Sequence, residues 1–217
     1  MSDSFLVAGR LPMSRESFEQ WLDAPLPGEP AIANPAAMFT GWYWDGQDAP
    51  GNWSAAARGR TVRGWLADRV EAACTGPSGT VLRHRDGALE VYLFDLGYWA
   101  PGVQAALLAL AAARPSAESL VLFWSETSGS LWKPDGDGWL SALSVDESGA
   151  RFVAGRDLTA TVAGLRPVEA EFFAMAERIA EDEERWDPRT QPEFRTEIPM
   201  EYVDDRGVAT RGERADE

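Results

Sequence analysis

The sequence predicts an α+β fold, a mainly antiparallel sheet of about six or seven strands packed with three to four helices. Three observations carry that prediction. First, Asp86-Gly87 stands between two extended, β-prone runs, and such a pair supplies the positive φ angles of a tight type I′ hairpin turn. The second arm of this hairpin, Leu89 to Leu96, is apolar on both faces apart from Glu90 and Asp95, as a central strand covered on two sides would be. Second, the compact apolar run Leu120 to Trp124 is followed by short runs separated by turn formers, which read as an antiparallel meander. Third, apolar residues recur at helical spacing, in Phe18, Trp21 and Leu22 and again in Phe172, Met175, Ala176 and Ile179.

In chain order, Ser4 to Leu11 alternates as a first strand, and Pro12 stops it. Ser14 then suits a helix N-cap and Glu16 the first turn, where the helix dipole favours an acid. Pro25, Pro27, Gly28 and Pro30 end this helix near Ala24 and open a surface connection through residue 37. Met38 to Gly46 is the most aromatic stretch and is expected to be a strand, leading into a turn-rich loop, 47–52. Val62, Trp65, Leu66, Val70 and Ala73 mark one face of a second helix, which Gly76-Pro77 terminates.

After the hairpin, Pro101-Gly102 introduces an almost wholly apolar helix running to about Ala113, a pattern that belongs in a core. The meander continues with Ser130–Lys133, Trp139–Val145 and Arg151–Val153. Pro167, with Glu169 and Glu171 close behind, is expected to open the last helix, with Pro at its first position and acids at its positive end. Beyond Asp187 the periodicity fails. The expected organisation is a single α+β domain over 1–187 and a C-terminal arm over 188–217, partly disordered.

Composition narrows the function. A 217-residue chain with 45% hydrophobic and 25% charged residues can bury one sizeable core. Its 35 acidic residues against 20 basic ones give a formal charge of −15, which opposes binding to nucleic-acid phosphates or anionic lipid and favours a basic partner. Cys74 is the only cysteine, so there is neither an intrachain disulfide nor a thiolate metal cluster, and a reducing cytoplasm fits. Met1-Ser2-Asp3-Ser4 carries an acid where a secretory signal would carry positive charge, and no apolar run is long enough to span a bilayer.

Catalytic signatures are sparse. His84 is the single histidine, and strand alternation places Arg83 and Arg85 on the face opposite it, so it reads as a strand-end surface residue rather than a base. One histidine cannot build an HExxH helix, and Gly76-Pro77-Ser78-Gly79 is not a nucleophile elbow. Asp135-Gly136-Asp137-Gly138 lacks the later ligands of a calcium loop and reads as a turn. No cofactor or metal is expected. Asp45 and Asp48, beside Trp42, Trp44 and Trp53, could serve a carboxylate-dependent hydrolase or a carbohydrate-binding surface, the alternative reading of the chain. The tryptophans read first as large core pieces; where exposed, the same residues form a protein-binding surface, favoured over catalysis, together with the acidic run Glu181, Asp182, Glu183, Glu184 and the following Trp186.

The opening Phe5-Leu6-Val7-Ala8-Gly9-Arg10-Leu11-Pro12-Met13-Ser14-Arg15-Glu16-Ser17-Phe18-Glu19-Gln20-Trp21-Leu22 resembles the strand, Leu-Pro break and Trp-bearing helix that begin some uncharacterised proteins of GC-rich bacteria. In overall character the chain is similar to the small acidic immunity proteins encoded beside polymorphic toxins. That resemblance implies a cytoplasmic, non-enzymatic inhibitor that binds a cationic toxin domain.

Overall fold

A computed structural model of the chain describes residues 4–28, 31–39, 53, 57–66, 80–93, 100–126, 141–154, 156–180, 200–204 and 207–209. The fold is α+β. Among the described residues eight strands make one sheet: β1 (Ser4–Pro12), β2 (Thr80–Arg85), β3 (Ala88–Leu93), β4 (Ser119–Glu126), β5 (Ser141–Asp146), β6 (Gly149–Val153), β7 (Met200–Asp204) and β8 (Gly207–Ala209), in the order β6-β5-β4-β1-β3-β2-β7-β8. Each of these strand pairings is antiparallel except β2 with β7. The sheet is accompanied by α1 (Arg15–Asp23), α2 (Ala100–Ala111) and α3 (Thr159–Ala180).

The β2–β3 hairpin turns where its sequence demands. Asp86 and Gly87 adopt φ of 50° and 68°, and the two-residue loop sets the register Arg85↔Ala88, His84↔Leu89, Arg83↔Glu90. All of β3 is buried, from Ala88 to Leu93, because it lies inside the sheet and both its faces are covered.

Strand alternation divides the core in two. On one face Val7, Leu11, Leu82, Leu89, Val91, Leu93, Val121, Phe123, Leu143 and Val145 pack with Phe18, Trp21 and Leu22 of α1 and with α2. Helix α2, apolar all round, is buried from Val103 to Ala111. The indole N–H of Trp21 donates to the carbonyl of Ala109 at 2.7 Å, tying α1 to α2 inside this core. On the other face Leu6, Ala8, Val81, Tyr92, Leu122 and Ala142 meet Val162, Leu165, Val168 and Phe172 of α3. The sheet is therefore the middle of three layers.

Several expectations need correction. Residues 25–37 are not merely a surface connection: Leu26 and Ile32 are buried, Pro25 bridges Thr61, and Ile32 bridges Ala150. Asn34 explains part of this, since its amide donates to the Phe152 carbonyl at 3.1 Å and accepts from the Phe152 N–H at 2.8 Å. Pro35–Phe39 forms a 3-10 turn where the sequence predicts a strand from Met38, and it buries Met38. Helix α3 starts at Thr159, two turns before Pro167, and the Asp157 carboxylate accepts the Thr159 N–H at 2.9 Å, one of the N–H groups that a helix start leaves unbonded. Pro167 sits within the helix on its exposed side, where Ala163, the residue whose carbonyl it cannot bond, is exposed as well. Glu169 and Glu171 consequently lie mid-helix, not at its positive end.

Past Asp187, where the residue pattern is silent, β7 adds to the sheet parallel to β2 and β8 folds back on β7. The expected second helix is described at residues 62–66, with Val62, Trp65 and Leu66 buried as its spacing requires. The expected strand Ser130–Lys133 and the turn 134–138 lie outside the described residues.

Candidate functional site

Charged side chains gather between the sheet and α3, and the strand pattern places them there. Arg10, Glu90 and Arg83 lie side by side across β1, β3 and β2, in the register Arg10↔Glu90↔Arg83. Residues paired across strands share a face, so all three look toward α3, and Arg85, two residues beyond Arg83, does too. From α3, Glu169 and Glu171 approach the same ground. Arg83 and Glu90 are each only 7% exposed, and Glu169 only 4%.

The contacts close into a ring. The Arg83 Nε–H donates to Glu90 Oε2 at 2.9 Å, and Arg85 Nη2 lies 3.1 Å from the same oxygen. Glu171 completes the circuit, its Oε1 accepting from Arg85 Nη1 at 2.9 Å and its Oε2 pairing with Arg83 Nη1. Arg10 Nε stands 3.7 Å from Glu90 Oε1. Alongside, the Tyr92 hydroxyl donates to Glu169 Oε1 at 3.5 Å, and Arg166 pairs with Glu169 Oε2.

Electrostatically the ring favours the charged forms of Arg83 and Glu171. Burial disfavours the Arg83 cation, but hydrogen bonds to Glu171 and Glu90 and their negative charges outweigh it, and its pKa is raised. The Glu171 carboxyl is held below its ordinary value, first by the Arg83 hydrogen bond, which outweighs partial burial, and then by Arg85. A carboxylate so held is a poor proton acceptor near neutrality, and a guanidinium does not give up its proton. What this arrangement does chemically is fasten α3 to the sheet and present cationic N–H groups.

The predicted site residues stand elsewhere. Trp53 is 2% exposed and packs in the core, its ring centroid 6.2 Å from that of Phe152, so it cannot belong to an exposed recognition surface. Trp42, Trp44, Asp45, Asp48, Glu181, Asp182, Glu183, Glu184 and Trp186 lie outside the described residues, as do Cys74 and Asp95. His84 is half-buried: its Nε2 is 2.9 Å from the Met13 carbonyl oxygen and its ring centroid 5.4 Å from that of Phe18, on the face opposite Arg83 and Arg85. Among the described residues no cluster of histidine, cysteine and acidic side chains could hold a metal, and no helix is long and apolar enough to cross a membrane. The ring itself is half legible in the sequence, because a two-residue turn at Asp86-Gly87 already pairs Arg83 with Glu90; the share of Glu171 depends on where α3 crosses the sheet.

Several described arginines outside the ring are also matched at home. Arg15 pairs with Glu19, Arg63 with Glu19 and Asp23, and Arg156 with Glu118. The Glu118 carboxyl is lowered by the Ser144 hydroxyl and then by Arg156. On the outer side of α3 Phe173 is 39% exposed, flanked by exposed Ala170 and Ala174. Compared with family models, curated proteins and solved structures, the chain matches none.

Proposed function

We propose that this protein is a non-enzymatic binding module that engages a cationic protein surface, as an immunity protein does when it blocks a toxin domain such as a basic nuclease. The observation that carries the reading is the distribution of charge. The chain holds a formal charge of −15, and Arg15, Arg63, Arg83, Arg85, Arg156 and Arg166 each spend their charge on the chain's own carboxylates. Internal pairing of these described arginines leaves the surplus of acids for whatever meets the molecule from outside. The acidic run Glu181 to Glu184 follows α3 directly in the sequence, and α3 carries exposed Phe173; strong interfaces draw on both charge and aromatic anchors.

In this reading Glu181, Asp182, Glu183, Glu184 and Trp186, with Trp42, Trp44, Asp45 and Asp48, form the contact surface, and Trp53 serves the core. The cytoplasm is the compartment in which such an inhibitor acts. Capture of the toxin domain encoded beside this gene, followed by association kinetics across a salt series, tests the proposal. Tight binding whose on-rate falls steeply with salt is expected; failure to bind that domain sinks it.

A further inference from the structure

We propose that the corner of the sheet formed by Arg10, Arg83 and Arg85 binds a small oxyanion, a carboxylate or phosphate group. Charge in this corner does not balance. Glu90 and Glu171 match Arg83 and Arg85, each guanidinium touching both carboxylates, and Arg10 then shares Glu90 as an additional cation. Alongside, Arg166 pairs with Glu169, and the Tyr92 hydroxyl donates to Glu169. Among the described side chains a local excess of one positive charge thus sits in a chain whose total is −15.

The second observation is the state of Arg83 itself. Its Nε and Nη1 are paired with Glu90 and Glu171, whereas Nη2 is buried and meets no hydrogen-bond acceptor among the described residues. A buried guanidinium N–H without an acceptor retains a desolvation cost that an incoming oxygen removes. Arginine's planar fork suits carboxylate and phosphate oxygens. The rim can admit them, since the side chains of Arg10, Arg85 and Glu171 are 42%, 38% and 43% exposed. This inference does not rest on the proposed partner.

The experiment is calorimetric titration of inorganic phosphate, and separately of acetate, into the full chain, with ionic strength held constant by chloride. Saturable binding of either is expected, and the better of the two identifies the anion. Arg83→Lys, which keeps the charge and loses the fork, and Arg10→Gln, which removes the surplus cation from the rim, should each weaken it about tenfold or more. If Arg83→Lys does not fold, Arg10→Gln alone decides. Absence of saturable heat with both anions, or undiminished affinity in a folded Arg10→Gln protein, overturns the assignment.

Discussion

Arg83 on β2 and Glu171 on α3 are paired directly, so a strand in the middle layer holds the helix that covers it by charge as well as by apolar contact. Because Arg83 is buried and also bonded to Glu90, the pair belongs to a ring whose members depend on one another.

Removing Glu90 should therefore be severe. Glu90→Ala leaves Arg83 buried with one partner fewer, and breaking a buried pair costs about 3–5 kcal/mol. Urea unfolding should show that loss, with Glu90→Ala clearly less stable than Glu171→Ala, whose site is partly open to water.

Acid should release the same helix. The Glu171 pKa is depressed in the folded state, so its contribution is complete above the ordinary glutamate value of about 4.3 and disappears as pH falls through the lower folded value. The stability difference between wild type and Glu171→Gln is expected to be constant from neutral pH down to that ordinary value and to shrink below it. A difference that grows on acidification would contradict the ion pair.

Trp21 offers a test on the opposite face. Trp21→Phe keeps an aromatic ring but removes the indole donor, leaving the Ala109 carbonyl with the Ala112 N–H alone, at a cost of about 0.5–1.5 kcal/mol. Denaturant midpoints would report it.

At the hairpin, Gly87 has a φ of 68°, and no neighbouring atom lies within 4 Å of the place a Cβ would take, so substitution there meets backbone strain and no clash. Gly87→Val should destabilise by about 1–2 kcal/mol, and Gly87→Asn by less, since asparagine tolerates that conformation. Thermal unfolding of the two variants separates the cases.

How much of this is legible in the sequence depends on how local the determinants are. Strand β1, helix α1 with its Ser14 cap, the β2–β3 hairpin and the buried α2 follow from turn chemistry and periodicity within a few residues. The start of α3 is harder to read. Pro167 advertises a first turn, whereas the helix begins at Thr159, whose N–H bonds the Asp157 carboxylate, a weaker signal because aspartate serves ordinary turns as readily as helix ends. Buried Leu26, Ile32 and Met38 are hidden by the prolines around them, since their partners come from distant parts of the chain. The charged ring divides in the same way: Arg83 and Glu90 meet through a two-residue turn, whereas Glu171 arrives from a helix 86 residues beyond Arg85 in the chain.

Asn34 has one more consequence. Among the described strands β6 ends the sheet, and the outward N–H and C=O of Phe152 would offer an incoming chain a template to extend. Asn34 occupies both, and the Ala33 N–H takes the Ala150 carbonyl at 2.8 Å. That flank is sealed against fibril-like stacking, and a strand from any other molecule must find its hold elsewhere.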